Sequence, residues 1–453
     1  MLAAGLLLAA GQVSKASTEA EKQAAIDAGL TWLAAQQQVD GSWWYGGGPD
    51  AYVDIATTAA ALLAFIEEGH TPSSATAYSF NVANGLDFLL SYAQSYAIAG
   101  QPAGDPDLNS NGIGVKFSPV LVDEGRDIYQ TGLAIMPIAA VGTPAAVITQ
   151  GPQTGRTYAD VIQDTADYLA FAQNEASAGH PNARGGWRYF ANSSVAQGSD
   201  NSTSQWPTVG LLYAQSAGAA VPAFVASELA IWASFIQNVD GGSDYDDTKG
   251  WGSNVSRTGT LLVQQVFSGA VAGMAAAQAY LDTQWLTTAN SSTWNGNFGH
   301  PYAMWAAYKG LEVTIGVDAD QSVIGNLHPD PGDLDNPNHG WNWWEDYCEY
   351  LVSTQNPSGY WPGYGHWPMP LATAWYVNIL AATEVPPPND PPACSGAYAD
   401  PMLLRPANHK MVPVSILGVT DPDGDPVTIT ITMITSDEPT APDTGTAACS
   451  ETP

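Results

Sequence analysis

Six short stretches place a carboxylate, an imidazole or a guanidinium just where an Ala- and aromatic-rich segment begins. They are Asp54 in "DIATTA", Asp127 in "DIYQTG", Asp200 in "DNSTSQ", Arg257 in "VSRTG", His300 in "GHPYAMW" and His366 in "GHWPMPLATAW". Acids and imidazoles gathered on one rim would form an acid–base or ligand site, with Trp206, Arg257, Tyr302 and Trp367 as its binding surface. Asp127 leads the candidates for a working acid or base. It follows Asp123, Glu124 and Arg126 in "DEGRDIYQTG", where neighbouring carboxylates raise one another's pKa and an arginine lowers it. One group of such a cluster keeps a proton near neutral pH while another stays ionised. His366 is its expected partner, with Asp54, Asp200 and His300 as further candidates. Each Asp also has a plain structural job, capping the free amides at a helix start.

The segments that must carry these residues repeat. "LTWLAAQQQVDGSWWYGG" leads into "DIATTAAALLAFIEEG", and "YLAFAQNEASAGHPNARGGWRYF" into "DNSTSQWPTVGLLYAQSAG". "WASFIQNVDGGSDYDDTKGWGSN" leads into "VSRTGTLLVQQVFSG", and the last copy is "YLVSTQNPSGYWPGYGHWPMPLATAWYVNILAAT". Weaker copies span Leu86 to Gly142 and Tyr280 to Gly316. The shared plan is an apolar helix ending in Gln, a Gly-rich turn with an aromatic residue, and a second, more apolar helix. The second helices, apolar nearly all round, suit an inner layer, and the first helices, with charges among their apolar positions, an outer one. Residues 20–383 are therefore expected to form an all-α, (α/α)6 toroid of six hairpins around a central cavity; an open solenoid is the alternative and would need polar capping repeats. Gln36, Gln173, Gln237 and Gln355 are expected at the helix–turn junctions, bonding exposed backbone groups, with Trp packed over the joints.

Gln, Asp-Gly or Gly-Gly, and Trp between two helices resemble the repeat of the prenyltransferase and squalene cyclase superfamily; "QQQVDGSWW", "GGWRY", "QNVDGG" and "QNPSGYW" carry the likeness. The resemblance implies a terpene-cyclase-like toroid acting on an isoprenoid. In its cyclases an Asp-x-Asp-Asp motif protonates an alkene. Asp244-Tyr245-Asp246-Asp247 matches those letters, which would make Asp246 the acid. Its place in a Gly-rich turn before Lys249-Gly250-Trp251-Gly252 instead points to an exposed, solvated loop outside the cavity. The protein prenyltransferases of the superfamily hold zinc with Asp, Cys and His. Asp346, Cys348 and His366 offer those types, but Asp346 and Cys348 fall on an outer helix, which speaks against Zn2+.

The remainder of the 453 residues is organised around one boundary. "TEVPPPNDPPACS" is a stiff spacer; residues 384–393 form the linker and 394–453 an incomplete β-sandwich-like module. "GVTDPDGDPVTITI" alternates Val, Ile and Thr around Asp423-Gly424, a hairpin signal, and resembles immunoglobulin-like or cadherin-like modules that bacteria append to secreted proteins. Asp421, Asp423 and Asp425 are candidate Ca2+ ligands or a polar turn. Residues 1–16 read as a secretory signal with an apolar run from Leu2 to Ala10, or as an apolar first helix. A Cys394–Cys449 disulfide fits export. Twelve Lys and Arg against 44 Asp and Glu give a net charge of −32, which argues against nucleic acid as a partner; no stretch is long enough for a transmembrane anchor. The function stays open between a secreted cyclase- or transferase-like toroid with an acidic, aromatic-rimmed cavity for an isoprenoid-like or other small ligand, a non-catalytic extracellular or cell-surface scaffold, and a glycan-active lyase or hydrolase.

Overall fold

The first helix shows how the hairpins begin. In α1 (Glu19–Gln36), Thr18 accepts the Glu21 amide and the Glu21 carboxylate accepts the Thr18 amide, a reciprocal cap that satisfies two free donors. The helix buries one stripe, Lys22, Ala25, Ile26, Gly29, Leu30 and Leu33. Its partner α2 (Ala51–Glu67) lies inside. Five more outer–inner pairs follow: α3 (Ser79–Ser91) with α4 (Asp127–Ala140), α5 (Tyr158–Ala172) with α6 (Asn201–Ser216), and α7 (Ala223–Ile236) with α8 (Val255–Ser268). The last two are α9 (Met274–Gln284) with α10 (Pro301–Ile315) and α11 (Trp343–Thr354) with α12 (Met369–Leu380). Inner helices are buried on every face, as α10 shows from Pro301 through Leu311. Each packs on the next, and α12 packs on both α10 and α2, while α1 packs on α11 and α12. The ring is closed: this is an all-α toroid.

This computed structural model describes residues 16–119, 126–176, 180–191, 198–289, 294–331, 341–384, 392–403, 412–422, 427 and 429. The chain divides into two units, Met1–Pro388 and Asn389–Pro453. Among the described residues no helix is long and apolar enough to cross a membrane.

One turn design is used four times. Gln37, Gln173, Gln237 and Gln355 each end an outer helix in extended conformation. The side-chain amide of each donates twice, once to the carbonyl of its own turn (Gly41, Gly185, Gly241 and Gly359) and once to a carbonyl of the neighbouring hairpin (Asn81, Val225, Gly273 and Ala25). In the first hairpin the job falls to Gln37, one residue beyond the expected Gln36, whose own amide reaches back to the Trp32 carbonyl at 3.5 Å. Indoles lock the turn to the outer helix: Trp43, Trp187 and Trp361 donate to the carbonyls of Leu33, Leu169 and Leu351. The bond from Gln355 to Ala25 joins the last hairpin to the first. Gln355→Ala is expected to lower unfolding free energy by about 1–3 kcal/mol, because two partly buried carbonyls lose a donor; urea titration followed by tryptophan fluorescence measures it.

The second hairpin departs from the Gly-rich pattern. Between α3 and α4 it inserts an antiparallel pair, β1 (Ala93–Ala97) and β2 (Ile113–Phe117), in register Ala93↔Phe117 to Ala97↔Ile113. The end of β2 does the work of a turn. The Phe117 amide donates to the Thr131 hydroxyl of α4, as Trp43 does to Thr58, Trp187 to Ser204 and Trp361 to Thr373.

In the second unit β3 (Tyr398–Asp400) pairs antiparallel with β4 (Ser415–Leu417). The expected hairpin at Asp423-Gly424, the candidate ligands Asp423 and Asp425, and Cys449 of the expected disulfide lie outside the described residues. So do the signal segment up to residue 15, most of the Pro-rich spacer, and Asp123 and Glu124 beside Asp127.

Candidate functional site

The inner helices begin around a cavity of about 720 Å³, within the range of small-molecule sites. Its inner part is apolar and aromatic. Trp206 of α6 stacks on Trp375 of α12, with centroids 5.8 Å apart and planes 12° from parallel, and lies 5.0 Å from Trp305. Leu133 and Leu371 complete this part. Nearer the mouth Tyr302 stacks on Trp367 at 5.5 Å, and the exposed indole of Trp294 stacks on the His366 ring at 4.7 Å.

Among the described residues, the side chains on this wall that carry a permanent charge are arginines. Arg257 is 8% exposed, its Nε has no hydrogen-bond partner, and among the described residues it forms no ion pair. Burial lowers its pKa below the ordinary value, against the pull of Asp244 and of Tyr280, Tyr302 and Tyr245. Asp244 is otherwise engaged: its carboxylate accepts the amides of Tyr245, Gly250 and Trp251 and the side chain of Asn238. Arg126 lies on the same wall, 5.9 Å over the Tyr189 ring. His300 caps α10, its Nδ1 accepting the Ala303 amide, so the proton of the neutral ring sits on Nε2, which makes no hydrogen bond within 3.5 Å and has the Trp294 backbone as its neighbour. Burial pushes its pKa down to about 4, leaving a neutral donor at physiological pH. Burial likewise raises Tyr129 to about 12, which keeps that phenol protonated.

Among the described residues no Asp or Glu lines the cavity, so its wall is arginine- and tyrosine-bearing where an acidic rim was expected. The reason is local: carboxylates at helix starts turn back onto backbone amides. Asp54 accepts the amides of Tyr45 and Asp50, both at 2.6 Å. Asp200 is fully buried, accepts the Thr203 amide and the Ser202 and Thr203 hydroxyls, and lies 3.4 Å from Arg188. Asp127 is also off the wall. Its carboxylate is buried against Lys116 at 2.7 Å and accepts the Ser118 hydroxyl at 2.8 Å, so the expected pairing with His366 is not made. His366 is at the mouth, and His300, Trp206, Arg257, Tyr302 and Trp367 all line the cavity.

Asp246 stands off the cavity wall too, yet it is 7% exposed, not solvated as expected. It accepts the amide and hydroxyl of Thr248, and its backbone bridges that of Asp200. Asp247 pairs with His180 at 2.8 Å. The acidic triplet is thus a folded turn. The three zinc-type residues have separate engagements: Asp346 bonds Trp285 and His328, Cys348 is buried in the core, and His366 stacks on Trp294.

Tyr129, Leu133 and Trp375 were not singled out from sequence, and Arg126 and Tyr245 were named only as neighbours of candidate acids. Their signal was position, at the start or in the first two turns of an inner helix, or in the turn before one.

No family model matches the chain, and no curated protein matches it. Among solved structures it is similar to the type II terpene cyclase MstE from Scytonema in the apo form, at 15% identity and a TM-score of 0.45, covering 81% of this chain and 98% of that one. A variant of MstE in complex with merosterolic acid A, its product, gives 15% identity, a TM-score of 0.45, and coverages of 80% and 97%. Another variant of MstE, in complex with the substrate geranylgeranyl dihydroxybenzoate, gives 14% identity, a TM-score of 0.45, and the same coverages of 80% and 97%.

Proposed function

We propose that the cavity binds, and in the enzymatic case transforms, an isoprenoid-like amphiphile with an acidic or strongly hydrogen-bond-accepting head. The observation that carries this reading is Arg257: a buried guanidinium on the wall of an indole-lined cavity, with no carboxylate paired to it among the described residues. A buried cation with a tyrosine ring beside it but no anion is costly, and a carboxylate or phosphate head supplies one in bidentate geometry. Trp206, Trp375, Leu133 and Leu371 suit the hydrocarbon, and the His300 Nε2–H suits a ligand oxygen. Because no carboxylic acid lines the described wall, a binding role without turnover is the second reading. A glycosidase would need a pair of carboxyl groups flanking the bond. We also propose export, on the apolar run from Leu2 to Ala10; detection of the chain only inside cells would count against it.

The test is tryptophan-fluorescence titration with geranylgeranoic acid, geranylgeraniol and a soluble oligosaccharide, followed by product analysis. Arg257→Gln is expected to weaken the acid by about tenfold or more, since charge-assisted bonds contribute roughly 1.5–3 kcal/mol, and to leave the alcohol nearly unchanged. Trp206→Ala should weaken both. Oligosaccharide binding with no response to either isoprenoid would overturn the reading.

A further inference from the structure

The loop that joins β1 to β2 reads "DPDLNSNGIGV", and Asp107, Asn109, Asn111 and Gly112 stand in the D-x-[DN]-x-[DN]-G spacing of a cation-binding loop. The loop is curled on itself: Asp107 accepts the Gly112 amide at 2.6 Å and Asn111 accepts the Ile113 amide at 2.7 Å. Gly112 takes φ +75°, which favours glycine. The side chains of Asn109 and Asn111 both reach one oxygen of Asp164 on α5, at 2.7 and 2.9 Å. Loop and helix therefore converge.

A separate observation on α5 points to a cation. Asp167, three residues further along α5, is fully buried. Its Oδ1 accepts the Gln163 amide, while its Oδ2 is buried with no hydrogen-bond partner. The groups acting on it besides Gln163 belong to this cluster: the Leu108 amide of the loop and the carboxylates of Asp164 and Asp107. The cationic side chain recorded at the cluster is Arg156, which holds the other oxygen of Asp164 at 2.6 Å. A buried carboxylate oxygen that faces the loop with the Leu108 amide as its one nearby donor among the described residues is stabilised by a positive ion.

We propose that Asp107, Asn109, Asn111, Asp164 and Asp167 form a Ca2+ site. The donor set is all oxygen and mixes carboxylates with amides on a solvent-exposed loop, which suits a hard ion of flexible coordination better than Mg2+ or a transition metal. Among the described residues no three carboxylate, thiolate or imidazole groups already stand together as a metal cluster; amide oxygens complete this one. The side-chain oxygens of Asn109 and Asn111 accept the amides of Asn111 and Ile113, and each carbonyl oxygen keeps a second lone pair for an ion. The ion would brace the β1–β2 insertion, whose second strand holds α4 through Lys116 and Phe117.

The experiment is calorimetric titration of the full chain, stripped with EDTA, with CaCl2 and with MgCl2. Calcium is expected to half-saturate at about 10⁻⁵–10⁻³ M, with magnesium weaker. Asp107→Asn should weaken calcium at least tenfold, while Asp421→Asn, in the second unit, leaves this event intact. Asp167→Asn should raise the melting temperature in EDTA, where it removes a bare buried charge, and shrink the rise that calcium produces. Heat that survives Asp107→Asn and disappears in Asp421→Asn would overturn the proposal, as would no heat and no thermal shift at about 10 mM calcium.

Discussion

Lys116→Met is expected to destabilise the toroid by about 3–5 kcal/mol, the usual cost of breaking a buried ion pair by removing one partner. Lys116 and Asp127 are both fully buried, 2.7 Å apart, so the substitution strands a carboxylate in the core with the Ser118 hydroxyl still attached. Asp127→Asn alone should cost a similar amount, because it leaves the buried Lys116 ammonium without its counter-ion. The double variant is expected to recover much of the loss, and a double-mutant cycle by urea unfolding gives the coupling. The same cycle addresses Asp127 chemically. If ligand titration of Asp127→Asn matches that of the parent protein, the residue is a structural anchor for α4; a large loss of binding with stability intact would restore it as a site residue.

Gly359→Ala should be nearly as damaging, at about 2–5 kcal/mol. The backbone there takes φ +94°, a conformation that costs an L-residue roughly 1–2 kcal/mol, and a methyl group would drive into the Ala28 carbonyl of α1, adding about 1–3 kcal/mol of overpacking. The neighbouring hairpin cannot retreat without loosening Gln355, whose amide spans Gly359 and Ala25. Gly46→Ala in the first turn, with nothing within reach of the added atom, is the matched control and should leave the melting temperature nearly unchanged.

The helical hairpins were legible because each pairs a one-sided helix with an all-apolar one, four of them across a Gln- and Gly-bearing turn, and such periodicity survives without tertiary information. Gln36 was one residue off because three glutamines stand in a row and only the cap geometry selects Gln37. The cavity's aromatic and cationic members, Trp206, Arg257, Tyr302, His300 and Trp367, were readable from their places at inner-helix starts. Its charge was not. A carboxylate at a helix start faces either the cavity or the helix's own amides, and Asp54 and Asp200 chose the amides, a choice that sequence spacing does not encode. Burial of lysines was equally invisible: Lys22, Lys116 and Lys309 all lie inside, each against an acid on another element or a distant carbonyl. The calcium-type loop did carry a spacing signal at Asp107, but its completing groups, Asp164 and Asp167, stand on a helix far along the chain and meet it only in the fold.

Ring closure has a consequence for how the chain is made. Every junction between successive hairpins joins segments that emerge close together in time, except one. That seam is built from Gln355 on Ala25, Lys22 on Glu345 at 2.7 Å and under the Trp344 ring, and Glu349 on Ser17. Its hydrogen-bonded partners lie 323 to 332 residues apart. During vectorial synthesis, at roughly 5–20 residues per second, the first hairpin waits on the order of tens of seconds for its neighbour, with the apolar side of α1 and α2 uncovered. Five stacked hairpins behave until then as an open arc with two sticky ends. Release of the sixth turns the arc into a ring, and the moment of greatest exposure to self-association comes just before it.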